Sequence, residues 1–127
     1  MKKLYSALLL SALALLAAGQ SQAAHPAVKR ACGQAPAAPG LIDGKSATEQ
    51  SMRLVAGSVR GFADESLKYL TCLDNQPIST AYMAQPSFRA ALAAHREEVA
   101  DKLEVTVNAY NSQLRSFKSQ QAQVAQN

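Results

Sequence analysis

The sequence predicts an all-α protein: an antiparallel two-helix hairpin with an extended, proline-rich N-terminal strap disulfide-bonded to the first helix. Three observations carry this expectation. Apolar residues recur at alternating steps of three and four over two long stretches. A segment rich in proline and glycine precedes them. The chain beyond residue 23 holds just two cysteines, Cys32 and Cys72, one in the strap and one near the end of the first helical stretch.

Of the 127 residues, 1–23 read as a cleavable export signal. Lys2 and Lys3 supply a positive start, and Leu4 to Ala18 (LYSALLLSALALLAA) form an apolar run. Ser21-Gln22-Ala23 then places small residues at the −3 and −1 positions of a cut near Ala23. A membrane anchor needs roughly 18 or more apolar residues, and no later stretch of the chain is long and apolar enough to span a bilayer. A lipoprotein would carry a cysteine directly at the cut, whereas Cys32 lies behind the charged pair Lys29-Arg30. The Met-Lys-Lys start and short apolar run fit a bacterial signal, so the expected location is the periplasm or the exterior. The remaining 104 or so residues carry 11 basic and 9 acidic groups, far too even a balance for a nucleic-acid partner. They contain 22 Leu, Val, Ile, Met and Phe in all, enough for one thin core.

In an oxidising compartment the default state of Cys32 and Cys72 is a disulfide. The pair lacks C-x-x-C redox spacing, and neither His25 nor His95 sits at zinc-ligand spacing from it. Residues 24–46 form the expected strap, with Pro36, Pro39, Gly40 and Gly44 excluding a continuous helix. The 14 steps from Cys32 to Ser46 cover about 43 Å as polyproline II. A helix from Ser46 to Cys72 rises about 39 Å. The lengths match, so the strap is expected to run antiparallel along that helix, over the face of Leu54, Gly57, Gly61, Glu65 and Lys68. A backbone lying close above Gly57 and Gly61 would account for two glycines that each cost a helix roughly 1 kcal/mol.

The helical region spans 47–118. Ser46 and Glu49 have capping-box spacing at the head of a helix over 47–74, and Asn75-Gln76-Pro77 ends it. Its apolar stripe is Met52, Val55, Val59, Phe62, Ser66, Tyr69 or Leu70, and Leu73. A connector over 75–86 leads to a helix over 87–118, for which Pro86 suits the first turn. The second stripe is Phe88, Leu92, His95, Val99, Leu103, Thr106 or Val107, Tyr110, Leu114 and Phe117. Two long amphipathic helices joined by a dozen residues fold back on each other. The polar tail 119–127 reads as a fraying helix end or disorder.

Chemistry is sparse. His95, Glu97, Glu98 and Asp101 occupy neighbouring turns, but His95 lies on the core stripe while Glu97 and Asp101 project elsewhere. A helical di-iron site needs Glu-x-x-His on two helices, and the first helix has no histidine. No G-x-S-x-G elbow and no glycine-rich phosphate loop occur. His25, beside the expected cut, reads as mobile. Neither catalytic residues, nor a cofactor, nor a metal is expected, and the chain does not read as an enzyme.

Binding is the expected role, because a hairpin one layer thick leaves apolar surface partly uncovered. Ile78, Tyr82 and Met83 in the connector form the expected contact patch, and the partner is another envelope protein or a second copy. An inhibitor or immunity protein against a secreted hydrolase is an alternative, weakened by the absence of acidic residues in 75–86. A stress chaperone is another.

One set of residues has a wider resemblance: Cys32, Pro36, Pro39, Ile42, Asp43-Gly44, Ala47-Thr48, Met52, then Tyr69-Leu70-x-Cys72-Leu73-Asp74, and finally Tyr110-Asn111-x-x-Leu114-x-x-Phe117-Lys118. In these the chain resembles a group of small, uncharacterised exported bacterial proteins, over nearly all of its length after residue 23. It departs from them at Gly33 and Gln34, where a proline nearer the first cysteine is expected. The resemblance implies a periplasmic helical protein and brings no catalytic residues with it.

Overall fold

The computed structural model describes residues 24–75 and 78–126; the expected export signal lies outside them. Among the described residues the structure is helical, without strands. Four helices follow in order: α1 (Pro26–Cys32), α2 (Glu49–Asn75), α3 (Thr80–Met83) and α4 (Pro86–Val124). The two long helices pack against each other, α1 packs on α2, and α3 packs on α4.

The α1 helix corrects the expectation that all of 24–46 is extended. Seven residues, PAVKRAC, form a helix with proline in the first turn, and His25 Nδ1 accepts from the Ala27 N–H. Gly33 closes it at a φ of 76°, a region open to glycine, and its N–H donates to the Lys29 carbonyl. Lys29 and Arg30 fall in the last turn, where cations offset the carbonyl end. Proline inside the start and glycine past the end are the usual punctuation of a short helix. Alone it would not hold. It is held because Val28, 1% exposed, plugs a cluster made of Tyr69, Leu73, Phe88 and Val99.

Cys32, the last residue of α1, is joined to Cys72 of α2 by the disulfide, with the two Cα atoms 5.8 Å apart. Beyond it the strap is extended from Gly33 to Asp43 and turns at 44–46. It does not cover Gly57 and Gly61. A Cβ built on either glycine meets nothing within 4 Å, and Leu54 on the same face is 68% exposed. The strap instead reaches α4. Ala35 packs against the core cluster, and the Gly44 N–H donates to Gln113 Oε1 at 2.9 Å. Gly44 lies so close that an added Cβ would stand 1.9 Å from the Gln113 carbonyl oxygen. Physically, the half-buried side chains of the strap (Ala35, Pro36, Pro39, Leu41 and Ile42) gain more beside the apolar stripes than above two bare glycines on a polar face.

The head of α2 also differs from expectation. Ser46 belongs to a turn, its N–H donating to the Asp43 carbonyl at 3.2 Å. The cap is Thr48: its Oγ1 accepts from the Ser51 N–H at 3.1 Å, while Ser51 Oγ accepts from the Thr48 N–H at 3.0 Å. This is the reciprocal capping arrangement, shifted two residues and closed by serine in place of glutamate. The buried residues of α2, namely Met52, Val59, Phe62, Ser66, Tyr69 and Leu73, lie on the expected stripe. So do Phe88, Val99, Thr106 and Phe117 of α4. That helix runs 39 residues, about 58 Å, and continues into the polar tail as far as Val124. Part of the connector is ordered as α3, where Ser79 Oγ accepts from the Ala81 N–H.

Three measurements check these placements. Replacing both cysteines by serine opens a loop with a sequence separation of 40 and should lower the unfolding free energy by about 4 kcal/mol, read from urea titration. Gly44→Ala should destabilise sharply, since the Gln113 backbone must move. Gly57→Ala and Gly61→Ala should each stabilise by roughly 0.5–1 kcal/mol, as expected for exposed helix glycines with open space above them. A loss of stability in G57A or G61A would show that something covers that face.

Candidate functional site

Among the described residues, one concavity lies where α1, the start of the strap and α4 meet. It is a cleft of about 380 Å³ lined by Ala24, Lys29, Gly33 to Ala37, His95, Glu98, Val99 and Lys102. Three elements build it: α1 contributes Lys29 on its outer side, the disulfide fixes where the strap leaves α1, and successive turns of α4 present His95, Glu98 and Lys102. The lysines are exposed, whereas the His95 side chain keeps only 10% of its surface.

His95 sits on the α4 stripe, as its spacing predicts, and its ring is used on one edge. Nε2 is 3.0 Å from the Tyr69 hydroxyl, with the two rings edge to face. Nδ1 is buried and without a hydrogen-bond partner, 3.8 Å from Glu98 Oε2. Burial raises the Tyr69 phenol above its ordinary pKa, so it stays protonated at neutral pH. The Ser66 hydroxyl, one turn earlier on α2, is fully buried and also lacks a partner. Tyr69 and His95 face each other, and none of these three side chains offers an exposed nucleophile. Glu97 and Asp101 are exposed and turn away from the ring. No group of three or more His, Cys, Asp or Glu is arranged to hold a metal among the described residues.

His25 is far from mobile. Besides capping α1, its ring stands edge-on to Phe88 at 4.9 Å and to Tyr82 at 5.4 Å. Histidine next to a proline carried this signal, since an N-cap acceptor before Pro at N1 is a helix start. Of the expected contact patch, Ile78 and Tyr82 pack against the core cluster, and Met83 is exposed. Its carbonyl accepts from Arg89 at 2.7 Å. The structure therefore brings Tyr82 together with His25 and Phe88, and leaves Met83 as the outward apolar group of the three.

A paired charge with no signature in the sequence closes the end of α2. Arg96 donates from Nε and Nη2 to the two carboxylate oxygens of Asp74, at 2.7 and 3.1 Å. The hydrogen bonds from Arg96 hold the Asp74 carboxyl below its ordinary pKa, and the same bonds raise the guanidinium. Their 22-residue separation spans the connector, which is why helical spacing alone does not pair them.

No protein-family model matches the chain, and neither does any curated protein or solved structure.

The Asp74–Arg96 pair has a pH signature. A lowered carboxyl pKa means the pairing contributes above the ordinary carboxylate range and is lost as pH falls through the lowered value. Asp74→Asn should therefore flatten the part of the stability curve that falls under acid, measured as thermal midpoint between about pH 6 and pH 3, with a small effect at pH 7 because both groups are half exposed.

Proposed function

We propose that this is an exported helical module without catalytic activity, retained in the bacterial envelope to bind another protein there or a second copy of itself. The reading has three parts. The first is export, which rests on the signal-like sequence of residues 1–23 and is favoured by a disulfide that persists in an oxidising compartment. The second is geometry: α2 and α4 form an antiparallel hairpin. In support, Asp74 at the end of α2 pairs with Arg96 in the early part of α4. The strap, tied to the end of α2 at Cys72, reaches Gln113 far along α4. The third is binding; the resemblance to small exported helical proteins drawn from the Cys32, Asp43-Gly44 and Tyr69–Asp74 segments supports the exported, helical part of the reading.

The observation that carries the binding role is the placement of apolar side chains on the outside. Leu54 and Leu67 on α2, and Val105 and Val124 on α4, are each more than half exposed, and Met83 joins them at the connector. Scattered single apolar residues are ordinary. Here the whole chain has about two dozen large apolar residues outside the signal, so leaving five of them in water is a large share of a thin core. Residues withheld from the interior in a protein this small are best used at an interface.

The test is chemical crosslinking of the Ala24-start protein in its own envelope fraction, with Met83→Glu and Leu54→Glu as controls. A single partner, or a dimer seen also by sedimentation of the pure protein, is expected to be lost in one of the two variants. Capture that is unchanged in both variants, or a monomer with no crosslinked partner, would reject the reading.

A further inference from the structure

The cleft between α1, the strap and α4 is lined by Ala24, His95 and Glu98 together. We propose that hydrolysis of the Ala23–Ala24 bond creates the occupant: the new α-ammonium of Ala24 docks in the cleft between Glu98 and His95. The inference rests on the export reading above. The chemistry is an ordinary peptidase step, in which one water is consumed, a carboxylate leaves on Ala23 and an ammonium remains on Ala24.

The position of Ala24 is set by its neighbours. Pro26 begins α1, and Val28 is buried at 1% exposure. His25 is fixed three ways: Nδ1 accepts from the Ala27 N–H at 3.2 Å, and the ring meets both Phe88 and Tyr82 edge-on. Ala24 itself is half-buried against the core cluster and lines the same cleft as Glu98 and His95. His25 thus fixes the carbonyl end of Ala24 at the cleft wall, and the amino group keeps only rotation about the Ala24 Cα–C bond, an arc that starts from the cleft.

The cleft needs what an ammonium has. His95 Nδ1 is buried with no hydrogen bond, so its desolvation goes uncompensated. Glu98 places a carboxylate 3.8 Å from that nitrogen. An amide N–H at position 24 has one donor and no charge; an α-ammonium has three donors and a full charge. One donor satisfies Nδ1, which fixes the Nε2–H tautomer and makes His95 the donor to Tyr69 Oη, 3.0 Å away. A second meets the Glu98 carboxylate. The remaining charged groups at the cleft are Lys29 and Lys102; both are exposed, and their heads reach water. Ammonium repulsion from them is screened, while the pairing with Glu98, which is half-buried, is screened less. Signal removal thus finishes the fold as well as releasing the chain.

The experiment compares protein that starts at an authentic Ala24 with protein carrying Gly-Ser ahead of Ala24, each in wild type and in Glu98→Gln. The authentic form should melt about 4 °C higher than the extended one, as for an interaction of ordinary ion-pair size in a domain this small. That gap should close in E98Q. In parallel, the α-amine of the authentic form should be acylated several-fold more slowly at neutral pH than that of E98Q, a readout that needs no change in folding. Equal midpoints for the two starts, or a gap that survives E98Q, would overturn the docking. Intact mass of the exported protein tests the cut separately: a chain starting elsewhere overturns the processing reading, whatever the prepared forms do.

Discussion

The structure depends on one constraint, the bond between Cys32 and Cys72. A seven-residue helix has almost no stability of its own, yet α1 supplies the most buried apolar residue of the described chain, Val28. The disulfide at the C-terminal end of α1 resolves the conflict. It fixes the helix beside the last turns of α2, so Val28 has only to settle among Tyr69, Leu73, Phe88 and Val99. Packing then returns stability that the bond alone does not provide, because His25 is drawn against Phe88 and Tyr82 and the connector is held down from its other side. Cluster, cap and crosslink are thus one unit located at one end of the long helices, with the strap leading away from it.

Helical periodicity was the most legible part of the sequence. It located both long stripes, including the polar members Ser66 and Thr106, because burial on a helix follows angle before it follows residue type. The cysteine pairing was legible because the chain holds two of them beyond residue 23. What spacing did not disclose is local or long-range in origin. The α1 helix was concealed by its shortness, although Pro26 and Gly33 marked both ends. The α2 cap moved to Thr48 because Asp43 claims Ser46 for a preceding turn, and two hydroxyls capped as well as a hydroxyl and a carboxylate. The seat of the strap is not legible from spacing, because chain length constrains reach but not azimuth. Gly57 and Gly61 looked like the close approach, whereas the close approach is at Gly44.

The same division holds for the site. His95 is visible as an imidazole on an apolar face, and its neighbours Glu97 and Asp101 are exposed. Its partner Tyr69, from the other long helix, required the fold. So did the cleft, since its walls come from three segments of which the first is only seven residues long. Asp74 and Arg96 belong to the same category: each alone is an unremarkable surface charge, and only the path of the connector makes them a bidentate pair.

Gly44 has a bearing on how this chain tolerates change. The strap is pinned at Cys32 by a covalent bond and, twelve residues later, at a spot on α4 that admits no side chain. A segment pinned at both ends behaves as a ruler. Insertion or deletion within it has no slack to use, because a stretched polyproline-like run gains or loses about 3 Å for every residue, and the glycine would arrive beside the wrong turn of its rod. Length variation in descendants of this sequence should accordingly collect elsewhere, around the connector or past Val124, while the span from the sulfur to that glycine keeps its count.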